Sequence, residues 1–264
     1  MSAAVGQPSW RLYFEPGLGA SVFRDMGTSP LSYHGPMGAI SMGYQHEGKV
    51  LVEADVEASA GLMHSAISKG LNYPQVGGFA MAEAGVAKNL SDRLSMRHLL
   101  QVGVGAMGYA DLRYNASLGN TALMLTGLAA IRAWAEMPEI VGWKSANKRY
   151  GIDFDHSLMA RLELLPVGMF VRPDFGYNDN FTAYNDDQYL LLRNLECRAK
   201  AFPGVAATVG LVRRNGASGD VTRLSYRWMY ITTGRNVEYP FAAASHSLRL
   251  QVTLMNRIKK SNAL

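Results

Sequence analysis

The sequence predicts an all-β fold: a single domain forming a closed antiparallel up-and-down transmembrane β-barrel of about 10–12 strands. Three observations carry that expectation. Apolar and polar residues alternate with a period of two in segment after segment, which sends them to opposite faces of a strand. Many of these segments run to about ten residues or more, near the nine to eleven tilted residues that cross a bilayer and longer than the five or six of soluble sheets. Charged residues make up only 18% of the 264, while Gly reaches 27 and Tyr 13, a composition short of charge for a surface wetted on every side.

Taken in order, residues 10–22 place apolar side chains at even positions and mostly polar ones or Gly at odd positions. Ile40, Met42 and Tyr44 alternate with Ser41, Gly43 and Gln45, and Gln45-His46-Glu47-Gly48-Lys49 then predicts a hairpin turn. Val50, Val52, Ala54, Val56, Ala58 and Ala60 follow, opposed by Glu53, Asp55, Glu57 and Ser59, the clearest hairpin in the chain. Residues 62–78 are expected to form a long loop. A turn at Asn89-Leu90-Ser91-Asp92 precedes Leu100, Val102, Val104 and Ala106. Residues 120–136 fit either an amphipathic helix capped at Asn120 or Thr121, or a strand, and the strand is preferred.

Strands are then expected at 152–158 and 165–171, a long loop at 176–188, and strands at 195–201 and 205–211 separated by a Phe202-Pro203-Gly204 turn. The loop 215–220 leads to Leu224, Tyr226, Trp228 and Tyr230, and the last strand carries Leu248, Leu250, Val252 and Leu254. Residues 1–8 and 259–264 are expected outside the barrel.

A mean hydropathy of -0.04, with no uncharged apolar run of about 18 residues, excludes spanning helices. Alternation by itself suits a soluble barrel or sandwich as well as a membrane barrel, and both remain open at this level. The membrane reading draws on strand length, on charge kept to one strand face, and on aromatics near strand ends: Trp10, Tyr13 and Phe14, Tyr109 and Tyr114, Phe175 and Tyr177, Tyr239 and Phe241. Trp10, Tyr13, Phe14, Tyr109, Trp228 and Tyr230 are the expected membrane-interface aromatics. In hydrocarbon every backbone N–H and C=O must pair laterally, so such a sheet has to close.

These features resemble the outer-membrane β-barrel class of bacteria, porin-like in the broad sense. The resemblance is one of pattern over nearly the whole chain and rests on no motif. Residues 1–7 have neither a basic nor an apolar region, which suits either a cytosolic chain or a processed one; the resemblance implies a bacterial outer-membrane location with a signal peptide already removed. The partners it implies are outer-membrane lipids or lipopolysaccharide and other outer-membrane or periplasmic proteins.

The carboxylate row Glu53, Asp55 and Glu57 would line one wall at about 6.5–7 Å spacing, and like charges so placed call for cations opposite. Arg11, Arg97, Arg172, Arg198, Arg223, Arg227 and Arg249 are the candidate partners. Together these residues form either an interior ion-pair network that fills the barrel or a constriction with acid and base on facing walls. The reading preferred is a non-catalytic, occluded barrel subunit of a larger outer-membrane assembly. A narrow channel for small, including anionic, solutes is the first alternative, and an outer-membrane lipid hydrolase the second.

No catalytic, metal or cofactor site is expected. His64-Ser65, His156-Ser157 and His246-Ser247 are adjacent pairs, whose side chains point to opposite faces of a strand and cannot bond each other. Asp179, Asp186 and Asp187 match no calcium-loop spacing. The single Cys197 permits neither an internal disulfide nor a CxxC site. The net charge of +5 comes from scattered basic residues, which argues against nucleic acid. Gly103-Val104-Gly105-Ala106-Met107-Gly108 fits G-x-G-x-x-G without the strand-turn-helix context of a nucleotide site.

Overall fold

Ten antiparallel strands follow one another around a closed barrel. They are β1 (Ser9–Asp25), β2 (Ser29–Glu47), β3 (Leu51–Ser65), β4 (Gln75–Asn89), β5 (Gln101–Tyr114), β6 (Leu123–Asn147), β7 (Ile152–Pro173), β8 (Leu195–Asn215), β9 (Val221–Thr232) and β10 (Phe241–Ile258). This computed structural model describes residues 9–26, 29–65, 75–91, 100–114, 123–147, 152–173, 195–216, 218–234, 237 and 240–258. Each strand pairs with its sequence neighbours, and β10 closes on β1 through pairs from Ser9↔Ile258 to Asp25↔Phe241. We call the end bearing Ser9 and Ile258 the terminal end, and the other the distal end.

The strand number lies at the lower bound of the expected range because two supposed breaks are irregularities inside single strands. Residues 202–204 are no turn: β8 runs through them, with Phe202 at φ 53 absorbing the bend. The segments 152–158 and 165–171 likewise belong to β7, which shifts register between Leu165 and Val167. The expected 62–78 loop is shorter at both ends, since 62–65 finish β3 and 75–78 begin β4. The ambiguous 120–136 stretch is strand from Leu123 onward. Residues 1–8, 176–188 and 259–264 lie outside the described residues, as do Asp179, Asp186 and Asp187.

The barrel is built inside out relative to a soluble one. Its outward side chains are aliphatic and open, including Leu18, Val56, Val104, Leu162 and Leu248, all more than half exposed. Its inward side chains include the buried Glu15, Asp25, Glu53, Glu57, Glu83, Arg113, Arg132, Arg227 and Arg249. No helix among the described residues is long and apolar enough to cross a membrane.

Candidate functional site

The distinctive chemistry lies in the lumen, where strand parity stacks three layers. On β6 the inward residues run Thr126, Leu128, Ala130, Arg132; on β7 they run Arg172, Phe170, Leu165, Glu163; on β5, Arg113, Asp111, Tyr109, Met107. The β6 and β7 series pass from polar through apolar to a charged residue, and the β5 series from charged to apolar. An ionic layer near the terminal end, an apolar layer across the middle and a second ionic layer near the distal end result.

The terminal-side layer centres on Arg132, which is 2% exposed. It donates hydrogen bonds to Glu53 and Glu83, and to Glu163 at 3.2 Å. Arg161 donates to Glu53 at 3.0 Å and Glu136 at 3.2 Å, and pairs with Glu163 at 3.2 Å. Arg249 grips both oxygens of Glu57, at 2.7 and 2.8 Å, while Arg227 bridges Glu57 at 3.5 Å and Glu83 at 3.1 Å. Arg223 reaches Glu15 at 2.9 Å. Six carboxylates and five guanidiniums thus form one web of shared bonds. Buried charges are tolerable only when paired and hydrogen-bonded in this way.

Trp134 is the aromatic floor of this web. The Arg132 and Arg161 guanidiniums lie 4.4 and 4.9 Å from its ring centre. Gly85 and Gly103 make its slot: a Cβ on either would stand 2.5 or 2.2 Å from the indole. The glycines of the G-x-G-x-x-G stretch therefore include one that admits a ring rather than a phosphate.

The apolar layer contains Met37, Phe79, Met81, Met107, Tyr109, Leu128, Leu165, Phe170, Met229, Ile231 and Phe241. Beyond it, Arg113 binds Asp111, Asp25 at 2.9 Å and Thr126 at 3.1 Å. Arg172 also pairs with Asp25. Phe23 and Phe241 cover the Arg113 guanidinium at 4.7 and 5.0 Å. A cavity of about 70 Å³ remains among Tyr13, Glu15, Asp55, Arg132 and Arg227. A vestibule of about 510 Å³ opens at the terminal end between Arg11, Glu47, Glu136, Glu139 and Lys144.

The carboxylate row thus faces inward as a unit, with Asp55 accepting from the Tyr13 hydroxyl at 3.2 Å. Arg223, Arg227 and Arg249 stand opposite it; Arg11 lies at the terminal rim, bonded to Gln45 at 2.7 Å and to Glu47. Arg172 belongs to the distal layer. Arg198 has the inward parity of its register partner Phe170 and is ion-paired, with Glu196, at 42% exposure. Arg97 is outside the described residues. Tyr13 and Tyr109 are corrections, because both turn inward, where their hydroxyls find Asp55 and Asp111. Trp10, Phe14, Trp228 and Tyr230 have outward parity, and Trp228 stacks on Tyr230 at 6.5 Å.

No family model matches the chain, and no curated protein matches it either. Among solved structures, the crystal structure of Pseudomonas aeruginosa OpdQ is similar at 10% identity, covering 94% of this chain and 98% of that one with a TM-score of 0.19. So weak a likeness carries no argument.

Sequence reasoning overlooked Glu15, Asp25, Glu83, Asp111, Arg113, Arg132, Glu136, Arg161 and Glu163. Their signal was available: Arg161 and Glu163 alternate with Leu162 and Leu164, and Glu83 interrupts an alanine series. It also overlooked a pair formed across strands, in which Ser145 Oγ lies 2.8 Å from His156 Nε2. That imidazole stacks on Trp143, and no carboxylate among the described residues bonds it, so the pair lacks the third member of a hydrolytic triad. The adjacent His-Ser pairs do point to opposite faces: His64 and His246 are exposed while Ser65 and Ser247 are buried.

Proposed function

We propose that the protein is an integral outer-membrane β-barrel with a closed lumen and no enzymatic activity, acting as an occluded barrel subunit within a larger outer-membrane assembly. The observation that carries the membrane reading is the outer face. Among the described side chains, outward charge is confined to the rims, at Arg24, Lys88 and Arg213, and no carboxylate points outward along the aliphatic band. A soluble barrel would put those aliphatic side chains inside and the ion pairs outside.

The observation that carries the closed state is the filled interior. An ion crossing the lumen would have to break through a pair of arginine-carboxylate layers and the dry layer of Met, Phe and Tyr between them. A ten-stranded barrel is narrow enough for long side chains to fill it. Single-channel recording of the full chain in a planar bilayer tests this: insertion without discrete current steps is expected, and steady ohmic steps would overturn the closed reading in favour of a narrow pore.

A further inference from the structure

The outward face of β6, β7 and β8 changes character at the terminal end. Along β7 the outward residues pass from Leu164, Leu162 and Leu158 to His156, and along β8 from Val209 and Leu211 to Arg213. Register puts His156 opposite Trp143 on one side and Arg213 on the other. Trp143 lies flat against the imidazole, with centroids 5.3 Å apart and planes within 6°. Ser145 Oγ holds the imidazole Nε2 at 2.8 Å. The Arg213 guanidinium is set 4.9 Å over the Phe154 ring.

Arg213 forms no ion pair among the described residues. Asp220, the acid on its own hairpin, accepts from Ser218 Oγ at 2.6 Å. Asp155 faces the other way, beside Lys144 at 3.7 Å. A guanidinium, an imidazole and a hydroxyl are therefore presented together one step beyond the aliphatic band, and no carboxylate among the described residues bonds any of the three. At that depth a bilayer offers lipid phosphate as the matching anion. Guanidinium matches phosphate in its fork geometry, and an indole is suited to headgroup depth.

We propose that Arg213, His156 and Ser145 bind the phosphodiester of a phospholipid in the leaflet at the terminal end, preferring headgroups of net negative charge. This rests on the reading that the barrel spans a membrane. The test is native mass spectrometry of the folded full chain in maltoside detergent, titrated with phosphatidylglycerol or phosphatidylcholine of the same acyl chains. Retention of phosphatidylglycerol at several-fold lower concentration is expected, with R213Q weakening it about tenfold, H156Q weakening it less, and R24Q at the opposite rim leaving it unchanged. Equal retention of the two lipids, or of phosphatidylglycerol by R213Q and wild type, would overturn the site. Displacement of the lipid by millimolar glycerol phosphate would also overturn it, showing a site for soluble phosphate. Insertion into phosphatidylcholine vesicles, read by heat-modifiable gel mobility, is followed on the same preparations. A barrel that inserts without headgroup preference loses only this proposal, whereas one that fails to insert loses the membrane reading as well.

Discussion

Glu57 is the sharpest probe of the lumen. Its side chain is fully enclosed, and it takes both Arg249 nitrogens, at 2.7 and 2.8 Å, together with Arg227 at 3.5 Å. Glu57→Gln keeps the shape and removes the charge. Breaking a buried pair from one side costs about 3–5 kcal/mol. Here each arginine keeps a second partner: Arg249 reaches Glu15 at 3.5 Å and Arg227 reaches Glu83 at 3.1 Å. The loss should therefore fall near the lower limit, about 3 kcal/mol, or roughly a hundredfold in the unfolding constant. Urea titration of vesicle-inserted protein, followed by tryptophan fluorescence, measures it, and the double variant E57M/R249M should recover most of the loss because neither charge is then stranded. A loss below about 1 kcal/mol for E57Q would refute the argument that the web is tightly coupled.

Other substitutions address the remaining layers. Gly103→Val should drive Trp134 from its slot, costing about 1–3 kcal/mol by overpacking and shifting tryptophan emission to longer wavelength; unchanged emission would contradict the slot. Val104→Arg, on the open outer face, should cost about 2–4 kcal/mol if it sits near the bilayer midplane, read as a lower folded fraction in vesicles, and an unchanged fraction would count against a lipid-facing band. Truncating Arg132, Arg227 and Arg249 together to Ala should leave bilayers silent, since the Met and Phe layer still blocks the lumen. Adding F79A and F170A together with the distal truncations R113A and R172A should bring current steps, and their absence would show that these layers are not what closes the lumen.

Period-two patterning made the barrel legible because a strand has only two faces, and one-sided charge such as Glu53, Asp55 and Glu57 against Val52, Ala54 and Val56 is visible without coordinates. Strand breaks were less legible. Pro203 and Gly204 read as a turn, yet lateral pairing on both sides, Leu165↔Gly204 and Gly204↔Ile231, carries β8 through them. Tyr109 and Tyr13 misled for another reason: an aromatic near a strand end suits an interface girdle or a lumen equally, and only parity shared with Asp111 or Glu15 tells them apart. The partners within the web were beyond reach, since Arg227 and Glu57 are 170 residues apart and meet only once closure fixes the diameter.

Closure also explains why the lumen alternates ionic and apolar layers. Inward charges sit away from water and must find partners across the barrel, so arginines, with reach and several donors, fork between carboxylates from different strands. Such a web tethers opposite walls but tolerates water and slippage. A dry layer between two webs restricts both, because Met and Phe fill irregular gaps and the aromatic rings of Phe23, Phe241 and Trp134 cap guanidinium faces. Opening would require both webs and the intervening layer to yield together, so no single side chain can serve as a gate. Any variant that conducts after one substitution in one layer would therefore count against a closed lumen more heavily than a loss of stability would.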